Sequence, residues 1–106
     1  MKTSNIFKNI PETLKDELFE DIVNSKNIKI ERIISDGQTS PKEGWHCSKQ
    51  NEWVIMLQGE AILSYETEDD IKLNRGEYIS IPAFLKHRVS YTSKSEKSIW
   101  LAIYYL

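Results

Sequence analysis

Cysteine is almost missing from this chain. Cys47 is the one thiol in 106 residues, so no internal disulfide can form and no cysteine spacing builds a zinc finger. Such usage points to a reducing, cytoplasmic setting. Histidine is equally scarce, with His46 and His87 the two imidazoles. No apolar run approaches the roughly 20 residues that a membrane-spanning helix needs. The N-terminal MKTSNIFKNIPETLKDE has no apolar stretch of the signal-peptide kind. An excess of either charge is also lacking, because 14 basic and 16 acidic residues leave a net charge of −2. The basic surplus on which phosphate-backbone binding depends is therefore absent, and neither nucleic acid nor membrane is expected as a partner. Internal repeats, low-complexity tracts and linker-like stretches are not found.

What is there has the proportions of one soluble domain: 40% hydrophobic and 28% charged residues. A chain of this length buries roughly 65% of the surface its unfolded form exposes, enough for one core and too little for two. Residues 11–22 carry a helical pattern. Pro11 suits a first turn, Glu12 favours the N-terminal dipole, and Leu14, Leu18 and Ile22 recur every four residues. This predicts an N-terminal arm and helix over residues 1–26, packed on a β domain spanning 27–106. Beyond Asn27 the expected strands are short: 28–34, Glu52–Leu57, Glu60–Glu66, Asp70–Leu73, Tyr78–Pro82, His87–Thr92 and Ser98–Tyr105. Turn-forming runs such as Gln58-Gly59 and Asn74-Arg75-Gly76 separate them, as in a sandwich or barrel. Trp53–Leu57 and Ile99–Tyr105 are apolar on both parities, so both of their faces need cover. The helix would cover part, and a second copy of the chain, forming a homodimer, would cover the rest.

Two segments stand out. Residues 44–59 read GWHCSKQNEWVIMLQG and residues 76–91 read GEYISIPAFLKHRVSY. They resemble the two motifs of the cupin superfamily, small jelly-roll β-barrels. Glu52 and Gly59 match the first motif with its six intervening residues, and His46 falls at its first histidine. Ser48 stands at the second histidine, and Ser40 where the leading glycine would be. A one-residue shift would instead offer Cys47 and lose His46. In the second motif Gly76, Pro82 and His87 match, while Phe84 replaces a glycine and Tyr91 an asparagine. The resemblance implies an all-β fold, a cupin jelly-roll β-barrel with a short N-terminal helix.

It also implies a divalent transition metal in the barrel, since the motif residues of cupins hold one. Imidazole and carboxylate suit iron, manganese, nickel, copper or zinc. The ligands would be His46, Glu52 and His87. Gln50 and Ser48 would share their face as weak oxygen donors if residues 46–52 formed one strand. The alternative has no metal: Glu52 and His87 pair by a hydrogen bond or act together as general acid and base. Trp45, Met56, Phe84 and Tyr91 are the expected pocket residues, with Trp45 at the mouth, while Trp100 reads as core. Lys86 and Arg88 face away from His87 by parity. Cys47 beside His46 would act as a nucleophile–base pair only if the segment were irregular, because neighbours on a strand point to opposite faces. Two functions follow: a barrel that binds a small molecule, with or without a metal, or a metal-dependent enzyme of oxygenase or isomerase type.

Overall fold

The computed structural model describes all 106 residues and contains eight strands and no helix. They are β1 (Leu18–Asn24), β2 (Ile28–Ser35), β3 (Asn51–Gln58), β4 (Ala61–Tyr65), β5 (Ile71–Leu73), β6 (Tyr78–Ile81), β7 (His87–Thr92) and β8 (Ser98–Tyr105). Seven of them lie where alternation and turn residues place them, within one residue at most ends. Two antiparallel sheets result, one of five strands in the order β1-β2-β8-β3-β6 and one of three in the order β5-β4-β7. The core fills the space between them. Ile33, Val54, Met56, Ile81, Trp100 and Ala102 come from the larger sheet, and Ala61, Leu63, Tyr65 and Leu73 from the smaller. No helix is long and apolar enough to cross a membrane.

The expected N-terminal helix is the one element that the structure corrects. Residues 11–17 are irregular and Leu18–Asn24 is an edge strand, paired with β2 from Leu18↔Ile34 to Asn24↔Lys29. An isolated helix of some twelve residues is marginal in water, whereas the free edge of β2 offers a ready ladder of hydrogen bonds. Phe19, Ile22 and Val23 also favour the pleated form. Ahead of β1, the arm is fastened by Arg32, whose guanidinium donates to the carbonyls of Ile6 (3.0 Å), Lys8 (2.6 Å) and Asn9 (3.3 Å). Its Nη2 also stands 2.6 Å from the Glu20 carboxylate.

Two further features position the site. Gly59 turns the chain between β3 and β4 at φ +84°, and a Cβ there would stand 2.7 Å from the Ser98 Cα. That close approach, as well as the left-handed backbone, is why only glycine fits. The segment between β2 and β3 runs back along the free edge of β7. Thr92 Oγ1 donates to the Gln38 carbonyl (2.6 Å), Ser40 N to the Val89 carbonyl (2.8 Å), and His46 and His87 exchange both backbone bonds (2.8 and 3.1 Å). It covers an otherwise open edge.

Candidate functional site

Strand register builds the inner face of the larger sheet in rows. Lys29, Tyr104 and Glu52 lie side by side across β2, β8 and β3. So do Glu31, Ala102 and Val54, and then Ile33, Trp100 and Met56. Alternation sends all nine to the same side. Between this face and the smaller sheet lies a cavity of about 200 Å³. Its apolar lining includes Ile33, Val54, Leu63, Val89 and Trp100, and its polar lining Glu17, His46, Glu52 and His87.

His87 is 6% exposed. Its Nδ1 lies 2.9 Å from the Leu85 carbonyl, a contact only a ring N–H can make favourably, so Nε2 is the nitrogen turned to the cavity. Nε2 stands 3.4 Å from Glu52 Oε2. Burial pulls the imidazole pKa down, but the hydrogen bonds to Glu52 and Leu85 and the Glu52 charge outweigh it, and the net shift is upward. Tyr104 supports the carboxylate from the next strand. Burial, then the Glu52 and Glu31 charges and the hydrogen bonds to both, push its phenol far above the ordinary value, so it remains a protonated donor. Lys29 completes the row, with Nζ 3.4 Å from Glu31 Oε2 and 5.9 Å from the Tyr104 ring centroid.

A second carboxyl reaches the cavity from just ahead of β1. Glu17 Oε2 accepts a hydrogen bond from the Ser35 hydroxyl, whose oxygen in turn accepts Trp100 Nε1–H at 3.1 Å. Burial raises the Glu17 pKa, the Ser35 bond opposes this, and the nearby Glu31 charge adds to it. Neither Glu17 nor Tyr104 carries a motif signal. The alternation Glu17, Phe19, Asp21 would have exposed the first, had residues 11–22 been read with period two. The parity Trp100, Ala102, Tyr104 points to the second.

Of the residues expected at the site, the fold brings Glu52, His87 and His46 to one cavity. The rings of His46 and His87 meet edge-on, with centroids 5.2 Å apart. Ser48 and Gln50 do not line it. Residues 47–50 are not strand, so the shared-face argument fails, and Ser48 Oγ accepts the Gln50 amide N–H at 3.0 Å. The expected pocket residues lie outside as well. Met56 is fully buried core, and Tyr91 sits opposite Ile62 on the smaller sheet. Trp45 lies beneath the Arg88 guanidinium at 4.9 Å. Phe84 is 66% exposed. Arg88 borders the cavity; its Nη1 donates to the Lys42 carbonyl, and its buried Nε has no partner. Cys47 Sγ is directed to the Phe84 carbonyl at 3.6 Å, and Lys86 pairs with Glu66 at 3.9 Å.

The donor set does not fit a metal as arranged. Glu52 and His87 supply one carboxylate and one imidazole, His46 is exposed, and Ser48 stands where the motif has its second histidine. No three His, Cys, Asp or Glu side chains converge in ligand positions, whereas three or four converging donors are what such ions need.

Residues 33–104 match the family model described as a cupin domain. A protein of Ralstonia eutropha JMP134, described as a candidate mannose-6-phosphate isomerase, superposes with a TM-score of 0.94 at 37% identity. The alignment covers 99% of this chain and 98% of that one. An RmlC-like cupin family protein of Methanocaldococcus jannaschii, with a double-stranded β-helix fold, gives 0.71 at 18% identity over 91% and 85% of the two chains. A cupin superfamily protein of Desulfitobacterium hafniense DCB-2 gives 0.75 at 19% over 92% and 84%. No curated protein matches. Sequence motif, sheet topology and family model agree, and the chain belongs to the cupin family.

Proposed function

We propose that this cupin binds a small polar molecule inside its barrel, with Glu52 and His87 as the recognising pair. The supporting observation is a buried imidazole 3.4 Å from a carboxylate at the wall of the cavity. The Leu85 contact fixes the tautomer, so the pair offers a single face to a guest. As imidazolium, Nε2 donates to a carbonyl or hydroxyl oxygen, and as imidazole it accepts. The cavity of about 200 Å³ is well above what a single water needs, so a small molecule fits within it.

The Ralstonia relative favours a second reading, in which the same pair moves a proton within a hydroxy-carbonyl compound. A phosphorylated hexose would meet one guanidinium at the wall, that of Arg88, which already donates to the Lys42 carbonyl and lies over Trp45, leaving only its Nε without a partner. A metal is not required by either reading. For the apolar outer face of β3 and β8, where Trp53↔Ile103 and Ile55↔Leu101 are paired, we infer a second copy of the chain as cover.

A fragment screen followed by histidine-ring NMR tests the binding function. Small hydroxyketones, hydroxy acids and polyols are the probes. Compounds that move the His87 ring signals and lose at least tenfold in affinity in His87→Ala support it; a library in which none moves them overturns it. Solvent deuterium appearing beside the carbonyl of a bound hydroxyketone marks turnover, and its absence leaves a binding protein.

A further inference from the structure

The cavity has a second polar end that neither motif accounts for. Glu17 stands ahead of β1, outside the family-matched residues 33–104, and reaches the cavity beside Trp100. One of its oxygens is occupied by Ser35, which Trp100 Nε1–H holds in place. The other has no protein partner, and no lysine, arginine or histidine forms an ion pair with Glu17. The Glu52 carboxylate at the other end has His87. Glu17 is thus a half-buried carboxyl on a cavity wall, oriented by two residues and short of one hydrogen-bond donor. Isolated burial of such a group costs free energy, and the protein offsets only part of it with Ser35.

We propose that Glu17 is a specificity-determining residue of the cavity, which selects guests presenting a hydrogen-bond donor, hydroxyl or ammonium, and rejects carboxylates and phosphate esters. The proposal rests on the binding function assigned to the Glu52–His87 pair and adds the class of guest. Geometry sets the preference. A donor at the free Glu17 oxygen completes the carboxyl's bonding, whereas an anion there would face the Glu17 carboxyl with no cation paired to it. The apolar lining residues Val54, Leu63 and Val89 favour a guest with a short carbon skeleton. The upward shift of the Glu17 pKa has the same origin, a buried negative charge without a cation beside it.

Two signals report the two ends separately: the Trp100 indole N–H for Glu17, and the His87 ring for the Glu52 pair. The probes are ethanolamine, 1,3-propanediol, glycolate and glycerol phosphate, titrated into the wild type, Glu17→Gln and His87→Ala. The expected result is that the amino alcohol or the diol moves the Trp100 indole signal. The anions should bind at least tenfold more weakly, and Glu17→Gln should narrow the gap between amine and anion at least fivefold. Glycolate or glycerol phosphate binding as well as the neutral probes overturns the proposal. So does an unchanged preference in a folded Glu17→Gln, or a Trp100 signal that none of the four moves. If the His87 signal still responds in those cases, only the Glu17 proposal fails. If neither signal responds to any probe, the binding function fails with it.

Discussion

His87 and Glu52 join the two sheets: the imidazole comes from β7 of the smaller sheet, the carboxylate from β3 of the larger, and they stand 3.4 Å apart. The pair is both a structural tie and the polar centre of the cavity. Folding raises the His87 pKa, so the folded protein holds a proton that the unfolded chain releases earlier. The pair's contribution to stability is full below the ordinary imidazole value of 6.5 and is lost as pH climbs through the raised value. Urea denaturation between about pH 6 and pH 8.5 should therefore show stability falling with pH. The slope should flatten in Glu52→Gln, and an equal slope in that variant would refute the linkage.

Removing the imidazole should cost more than it frees. His87→Ala leaves Glu52 partly buried without its cation and removes the donor to the Leu85 carbonyl. A loss of about 2 kcal/mol is expected at pH 6. Chemical denaturation of wild type and variant at one pH measures it.

Gly59→Ala should be far more damaging than Gly76→Ala. Both have positive φ, but a Cβ at 59 meets the Ser98 backbone while one at 76 meets nothing within 4 Å. Strain alone at Gly76 should cost about 1 kcal/mol. The added collision at Gly59 should bring its loss to about 3 kcal/mol or prevent folding. Comparing the two melting temperatures tests the difference.

Phe84 occupies the left-handed region at φ 67° and is largely exposed. A bulky side chain there is strained and recovers little through burial. Phe84→Gly should stabilise the fold by about 1 kcal/mol. A destabilised variant would show that the ring has a contact that this single chain does not display.

Because the donors do not converge, added zinc, nickel or manganese should leave the melting temperature of the tag-free protein within about 1 °C of the chelator-treated sample. A rise of several degrees, lost in His46→Ala, would establish that His46 swings in to complete a site.

The second copy proposed for the outer face of β8 predicts a wild type that sediments as a dimer at micromolar concentration and a Leu101→Lys variant that sediments as a monomer. A wild type that sediments as a monomer removes the second copy.

Local pattern made most of this protein legible. Alternation and turn residues placed seven strands, because side-chain direction in a strand repeats every two residues wherever the strand lies. The spacing of Glu52, Gly59, Gly76, Pro82 and His87 pointed to the family for a related reason. Each motif is held within a few residues, and its glycines answer to local turn geometry. Residues 11–22 misled because a spacing of four among Leu14, Leu18 and Ile22 satisfies a helix, while the open edge of β2 is invisible along the chain. Only the tertiary structure could choose between them, since an edge strand gains its bonds from a partner that follows it in sequence.

The same distinction runs through the site. By itself the sequence determined that Glu52 and His87 belong to one family site, for both sit in recognisable motifs. The tertiary structure decided that His46 stands edge-on to His87, that Ser48 and Gln50 lie off the cavity, and that Glu17, Trp100 and Tyr104 border it. Those relations depend on strand register and on how two sheets close over one another. Register is a property of pairs of strands, and no single stretch of residues contains it.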